Sequence, residues 1–226
     1  ATLFIVVALY ASRYSLPPTP ATAADAQKAK KPAPTPRAVE AANAFLEVLD
    51  AKQRDKDVYE FGSEEKSRWS NLRMTFVPRN GVRLGDLTKA QRAKAMDAVA
   101  AVLSKDGYQK VIDIMDGDQQ LAEGKGGKGK GGKGKGGKGG KGGKGPGAMF
   151  GADQYYLAIF GKPSETKPWM VQFGGHHLGV NVTVIGKHFV LTPTHTGTQP
   201  ASFKRNGKEV RPLGVHDELK PIRDEI

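Results

Sequence analysis

Leu178-Gly179-Val180-Asn181-Val182-Thr183-Val184 alternates apolar residues with small or polar ones. A period of two sustained over that length is the signature of a half-buried β-strand. Gly186-Lys187 then reads as a turn, and His188-Phe189-Val190-Leu191-Thr192 as the antiparallel strand returning from it. Counting outward from that turn sets His195 opposite Leu178. Immediately upstream, Pro168-Trp169-Met170-Val171-Gln172-Phe173-Gly174-Gly175-His176-His177 places aromatics, a double glycine and a double histidine inside the same extended pattern. All five histidines of the chain lie from His176 onward.

Working back, Tyr155-Tyr156-Leu157-Ala158-Ile159-Phe160 is a strand of the buried type, ended by Gly161 and Pro163. Before it the period is helical. Thr35-Pro36 starts a helix, proline being tolerated in the first turn, and Val39, Ala42, Phe45, Leu46 and Leu49 make its apolar stripe. The charged run Lys52 to Asp57 blurs its end, and Ser63 to Arg83 reads as irregular. Thr88 and Gln91 frame a capping box, Met96, Val99, Ala100 and Leu103 continue the stripe, and Gly107 is the expected stop. A third helix runs from Tyr108 to Ala122 with Val111, Ile112 and Met115 on one side. Helices first and strands later predict an α+β fold, an N-terminal helical layer packed on an antiparallel sheet.

The remaining segments set limits on partners and compartment. Residues 124–145 contain only glycine and lysine, and their eight lysines carry the net charge from +4 to +12. The basicity therefore belongs to one insert rather than to a folded surface, and no specific nucleic-acid motif accompanies it. The tract, extended to residue 147, is expected to be a disordered loop. It contains G-x-G-x-x-G trivially (Gly124, Gly126, Gly129), with no strand before it and no helix after it, so it is no dinucleotide fingerprint. Lys125, Lys128, Lys130, Lys133, Lys135, Lys138, Lys141 and Lys144 offer sequence-blind attraction to a polyanion, or serve only as a solvated spacer.

Residues 2–11 form an apolar run too short to span a bilayer, which takes about 20 residues, and of signal-peptide length. The expectation is an export or anchor segment over 1–15, a Pro/Ala-rich linker over 16–36, and one domain over 37–226. The protein is thus expected to be periplasmic, secreted or membrane-anchored, with membrane contact only through that first segment. The absence of cysteine excludes disulfides, thiolate ligands and a cysteine nucleophile. No G-x-S-x-G elbow supports a serine hydrolase of that type.

The order of short motifs carries a resemblance. Trp69-Ser70-Asn71-Leu72, Arg79-Asn80-Gly81-Val82, Leu87-Thr88 with Gln91-Arg92, and Leu103-Ser104 with Gly107-Tyr108 come first. Tyr155-Tyr156, Ile159-Phe160-Gly161 with Pro163, Pro168-Trp169, Gly175-His176-His177-Leu178, and Pro193 with Gly197 and Pro200-Ala201 follow. Over about residues 40–220 the chain resembles the family called Domain of Unknown Function 3500. The resemblance implies a fold relative and names no reaction. It also implies that the glycine–lysine tract replaces an ordinary connection, and that the family continues beyond Ile226, so part of its C-terminus is expected to be missing.

The candidate site is the histidine group. Adjacent residues of a regular strand point to opposite faces, so His176 and His177 cannot share one ion unless Gly174-Gly175 forms a bulge. With His195 opposite Leu178, His176 lies diagonally from it on one face, within reach of a shared metal or substrate, while His177 shares the other face with Asn181. Two histidines are too few for a closed zinc site, and Glu165 is one source of a third ligand. The competing reading has these histidines only pinning the strand to its neighbours. Tyr155, Tyr156, Trp169 and Asn181 are the supporting residues. Asp113, Asp116 and Asp118 offer carboxylates to a divalent cation, or a solvated helix end. Two functions follow as expectations. One is an exported protein with a histidine-lined metal or ligand site. The other is a non-catalytic surface protein whose lysine-rich loop engages polyanions.

Overall fold

The computed structural model describes residues 34–70, 72, 76–124 and 150–214. The chain divides into residues 1–32 and 33–226, and the fold below is that of the second part. The N-terminal segment, the linker up to residue 33 and the glycine–lysine loop beyond Gly124 lie outside the described residues.

The first helix, α1 (Pro34–Glu47), buries Ala38, Ala42 and Phe45, and the Thr35 hydroxyl donates to the carbonyl of Gly186, 2.8 Å away. The charged run after it is a separate short helix, α2 (Ala51–Asp57). Asp50 and Gln53 cap it reciprocally, a box of the kind also seen at Thr88 and Gln91. Its residues are too polar to form an apolar stripe. The Thr88 box opens α3 (Lys89–Ala101), whose Ala95, Ala98 and Val99 pack in the core with α1. Gly107 is not a stop. Ser104 caps α4 (Lys105–Ala122) by accepting from the Gly107 N–H at 3.0 Å, so glycine sits inside the first turn.

The strands are β1 (Val58–Tyr59), β2 (Val82–Arg83), β3 (Tyr156–Phe160), β4 (Trp169–Gly174), β5 (Leu178–Ile185) and β6 (His188–Thr196). They form one sheet of order β1-β3-β4-β5-β6, with β2 sharing the β1 edge of β3. All pairings are antiparallel except β1 with β3, so the sheet is mixed at that edge. A separate hairpin, β7 (Phe203–Arg205) and β8 (Lys208–Val210), turns at Asn206 and Gly207, both with positive φ. The α+β architecture read from the sequence is the one observed.

One face of the sheet packs against the helices through Leu157, Ile159, Trp169, Val171, Phe173, Leu178, Val180, Val182 and Val184. Each large side chain so buried contributes about 1.5–3 kcal/mol. The other face is covered too, which is why β5 is buried on both sides rather than half-buried. Tyr59 and Trp69 lie on it. Tyr59 stacks on Phe160 with ring centroids 4.9 Å apart, and the Trp69 ring lies against Gly179, where a β-carbon would come within 2.6 Å. Between these lies a closed amide chain. Asn80 donates to Gln172 (2.9 Å), Gln172 to Asn181 (2.9 Å), and Asn181 to the carbonyl of Pro193 (2.7 Å). Buried amides persist only when paired in this way.

Candidate functional site

The double histidine is not in a strand. Gly174 pairs with Gly179, and the Gly175 N–H donates to the Leu178 carbonyl at 2.8 Å, so His176 and His177 are the two-residue turn between β4 and β5. Adjacent turn residues are freed from strand alternation, and their rings touch, with centroids 4.3 Å apart at 71°. The edge of His176 also meets the Phe150 ring, 4.9 Å away.

The register of the β5–β6 hairpin corrects the placement of His195. Pairing follows the sequence count from Ile185–His188 as far as Val182–Leu191, then shifts, so that Val180 faces Thr194 and Gly179 faces His195. Proline has no N–H for the ladder, and Thr192-Pro193 together oppose the single residue Asn181. His195 therefore stands opposite Gly179 rather than Leu178, on the face that carries Trp69. The predicted diagonal between His176 and His195 is not formed, and His177 does not share a strand face with Asn181.

A different pair is brought together. On α4, Val111, Ile114, Met115 and Asp118 fall at helical spacing, so Asp118 takes a core-facing position and is 1% exposed. Its carboxylate accepts from the Tyr155 hydroxyl at 2.6 Å and from Nδ1 of His177. A carboxylate is an acceptor only, so Nδ1 carries the proton of that bond and Nε2 is the ring nitrogen that Asp118 does not engage. Tyr155 is fully buried, stacked on Phe173 with centroids 5.6 Å apart. Burial, reinforced by the charge of Asp118 and the bond to it, holds its hydroxyl well above the ordinary tyrosine value.

The loop after β6 closes the arrangement. Gly197 donates to the His177 carbonyl at 2.7 Å, and a β-carbon at Gly197 would lie 3.5 Å from both His177 Cδ2 and His195 Nε2. His177 and His195 thus approach the same glycine. The double glycine has its own part, since Gly175 lets the turn rest on the Tyr155 ring.

The other candidates go elsewhere. Trp169 is at the far end of β4 opposite Val184, and its indole N–H donates to the Ser164 carbonyl at 3.0 Å. Tyr156 points away from Tyr155, as strand neighbours must, toward Arg79 and Arg83. Asp113 and Asp116 hold Arg205 in ion pairs and do not converge with Asp118. Among the described residues no three His, Cys, Asp or Glu side chains are placed to hold one metal ion. Glu165 is exposed and joins no such group. Asp118 was legible as a charge inside an apolar stripe; its partner, 59 residues on, was not.

The model of a protein family described as "Protein of unknown function (DUF3500)" matches residues 31–220. The chain belongs to the DUF3500 family. No curated protein and no solved structure matches it. The whole Asp118–Tyr155–His177 constellation of this DUF3500 protein lies inside the matched span, as do His176 and His195. Among the described residues no helix is long and apolar enough to cross a membrane.

Proposed function

We propose that this protein is exported and transfers protons to or from a small molecule at His177. The observation that supports the reading is the pairing of His177 Nδ1 with a carboxylate removed from water. Such a partner fixes the tautomer and orientation of an imidazole and stabilises its protonated form, which a general base needs. In the free state Nε2 accepts a proton; Asp118 then faces an imidazolium. Tyr155 shares the charge of Asp118 and keeps its carboxylate from turning. His195, across Gly197, supplies a second imidazole to the same substrate.

A divalent cation on the Nε2 atoms of His177 and His195 is the other occupant this geometry suits, because a carboxylate behind an imidazole also orients metal-ligating histidines. Two imidazoles and no third ligand among the described residues favour proton transfer over a resident metal. The polyanion role of the lysine-rich loop has its residues outside the described part of the chain.

Carbethoxylation by diethyl pyrocarbonate, read by mass spectrometry, tests the proposal without a known substrate. The exposed His188 serves as the unassisted reference. His177 is expected to react at least as fast as His188, and Asp118→Asn to slow it about tenfold, since the reagent attacks an available Nε2 lone pair. If His177 stays unmodified while His188 is consumed, the network only pins the turn and the proposal fails.

A further inference from the structure

The sequence from Lys66 to Gly85 holds Lys66, Arg68, Arg73, Arg79 and Arg83 and not one acidic residue. Arg73 lies outside the described residues, and three of the others have local partners. Arg68 pairs with Glu65 at 2.8 Å, Arg83 pairs with Asp86, and the Lys66 ammonium lies 3.9 Å above the Phe61 ring. Arg79 is different, for among the described residues it meets no carboxylate. Its guanidinium donates to backbone carbonyls only, those of Val77 (2.6 Å), Leu72 and Gly175 (3.4 Å). Its Nε is shielded from water and makes no hydrogen bond.

A guanidinium drawn out of water without an opposite charge carries a desolvation cost that carbonyl dipoles only partly offset. Burial accordingly lowers the Arg79 value below that of an ordinary arginine. Two hollows adjoin it. One, of ≈10 Å³ beside Trp69 and Tyr156, has room for about one water. The other, of ≈430 Å³, is of small-ligand size and is walled by Val77, Pro78, Tyr59, Asn80 and Arg68, with Glu65 already engaged by Arg68. Its lining joins apolar Val77, Pro78 and Tyr59 with cationic Arg68 and Arg79. One uncompensated guanidinium suits one negative charge, and its planar fork matches a carboxylate.

We propose that this hollow binds a small organic carboxylate, with the charge on Arg79 and the apolar body against Val77, Pro78 and Tyr59. The site lies on the face of the sheet away from Asp118, and stands independently of the proton-transfer reading. Because Arg79 also holds the Gly175 carbonyl, an occupant of the hollow acts on the residue that starts the His176–His177 turn.

Titration of the isotope-labelled protein with sodium benzoate, followed by the amide resonances of Val77, Arg79, Asn80 and Gly81, tests this. Saturable shifts are expected, with benzyl alcohol, the neutral analogue, binding at least tenfold more weakly. Arg79→Gln should weaken benzoate at least tenfold. Val77→Asp, which leaves the Arg79 bonds in place and puts a carboxylate in the hollow, should do the same even if the Arg79 variant does not fold. Absence of saturable shifts, equal binding of the alcohol, or benzoate binding unchanged in Val77→Asp would each overturn the proposal.

Discussion

The Tyr155 ring lies directly under Gly175: a β-carbon at that glycine would stand 2.9 Å from Cε1, Cε2 and Cζ of the ring. Tyr155 is fully buried and cannot move aside, so the approach of the β4–β5 turn to the hydroxyl that binds Asp118 depends on a missing methyl group. Gly175→Ala should therefore destabilise the fold by about 1–3 kcal/mol, the usual cost of forcing one group into a packed site. Gly62→Ala, with nothing within 4 Å of its β-carbon, should change stability by less than about 0.5 kcal/mol. Thermal unfolding of the two variants checks the contrast; equal melting temperatures would refute it.

Tyr155 and Asp118 should also prove energetically coupled. Tyr155→Phe removes a hydrogen bond to a buried carboxylate, with an expected loss of about 1.5–3 kcal/mol. Asp118→Asn combined with Tyr155→Phe should cost less than the two single changes together, by about 0.5–3 kcal/mol, because both act on one network. Denaturant unfolding of the four proteins measures the term, and strict additivity would show that the two groups act apart.

Asp57 gives the fold a pH dependence of unusual sign. It is fully buried at the end of α2, and neither carboxyl oxygen is in hydrogen-bond geometry with another group. Desolvation raises its value well above the ordinary carboxylate range, and the nearby Val82 N–H offsets this only in part. The folded state thus keeps its proton where the unfolded chain, titrating near 3.9, has lost it. The stability Asp57 contributes is complete below about pH 3.9 and declines as pH rises toward the folded value. Asp57→Asn should flatten this decline. Urea midpoints measured across that range in both proteins decide it, and parallel curves would count against a protonated Asp57.

Arg205 ties the β7–β8 hairpin to α4 through Asp113 and Asp116. The groups are partly exposed, so Arg205→Ala should lower global stability by no more than about 1 kcal/mol. Amide exchange of Phe203 to Val210 should rise while that of β4 and β5 stays unchanged. Faster exchange throughout the sheet would mean that the hairpin is part of the main cooperative unit.

Much of the architecture was legible because it is written in short-range patterns. Leu178 to Val184 alternates because every second side chain of β5 enters the core beneath the helices. Thr88 and Gln91 announce α3 because both bonds of a capping box close within four residues. The center of the β5–β6 hairpin followed likewise, and its first four pairs match the count from Gly186-Lys187. The histidine site was legible only as a composition. Its register was lost at Pro193, where one missing N–H admits an extra residue and moves His195 by one position.

What sequence alone determined, then, is the kind of element each segment forms, because propensity, capping and periodicity act between residues a few positions apart. What tertiary structure decided is which polar groups meet. Asp118 finds Tyr155 across 37 positions and His177 across 59, and Asn80 finds Gln172 across 92. No local signal encodes such encounters. They follow from burial, which strips water from a carboxylate or an amide and leaves it to pair with whatever donor the packing of helix on sheet has brought within reach.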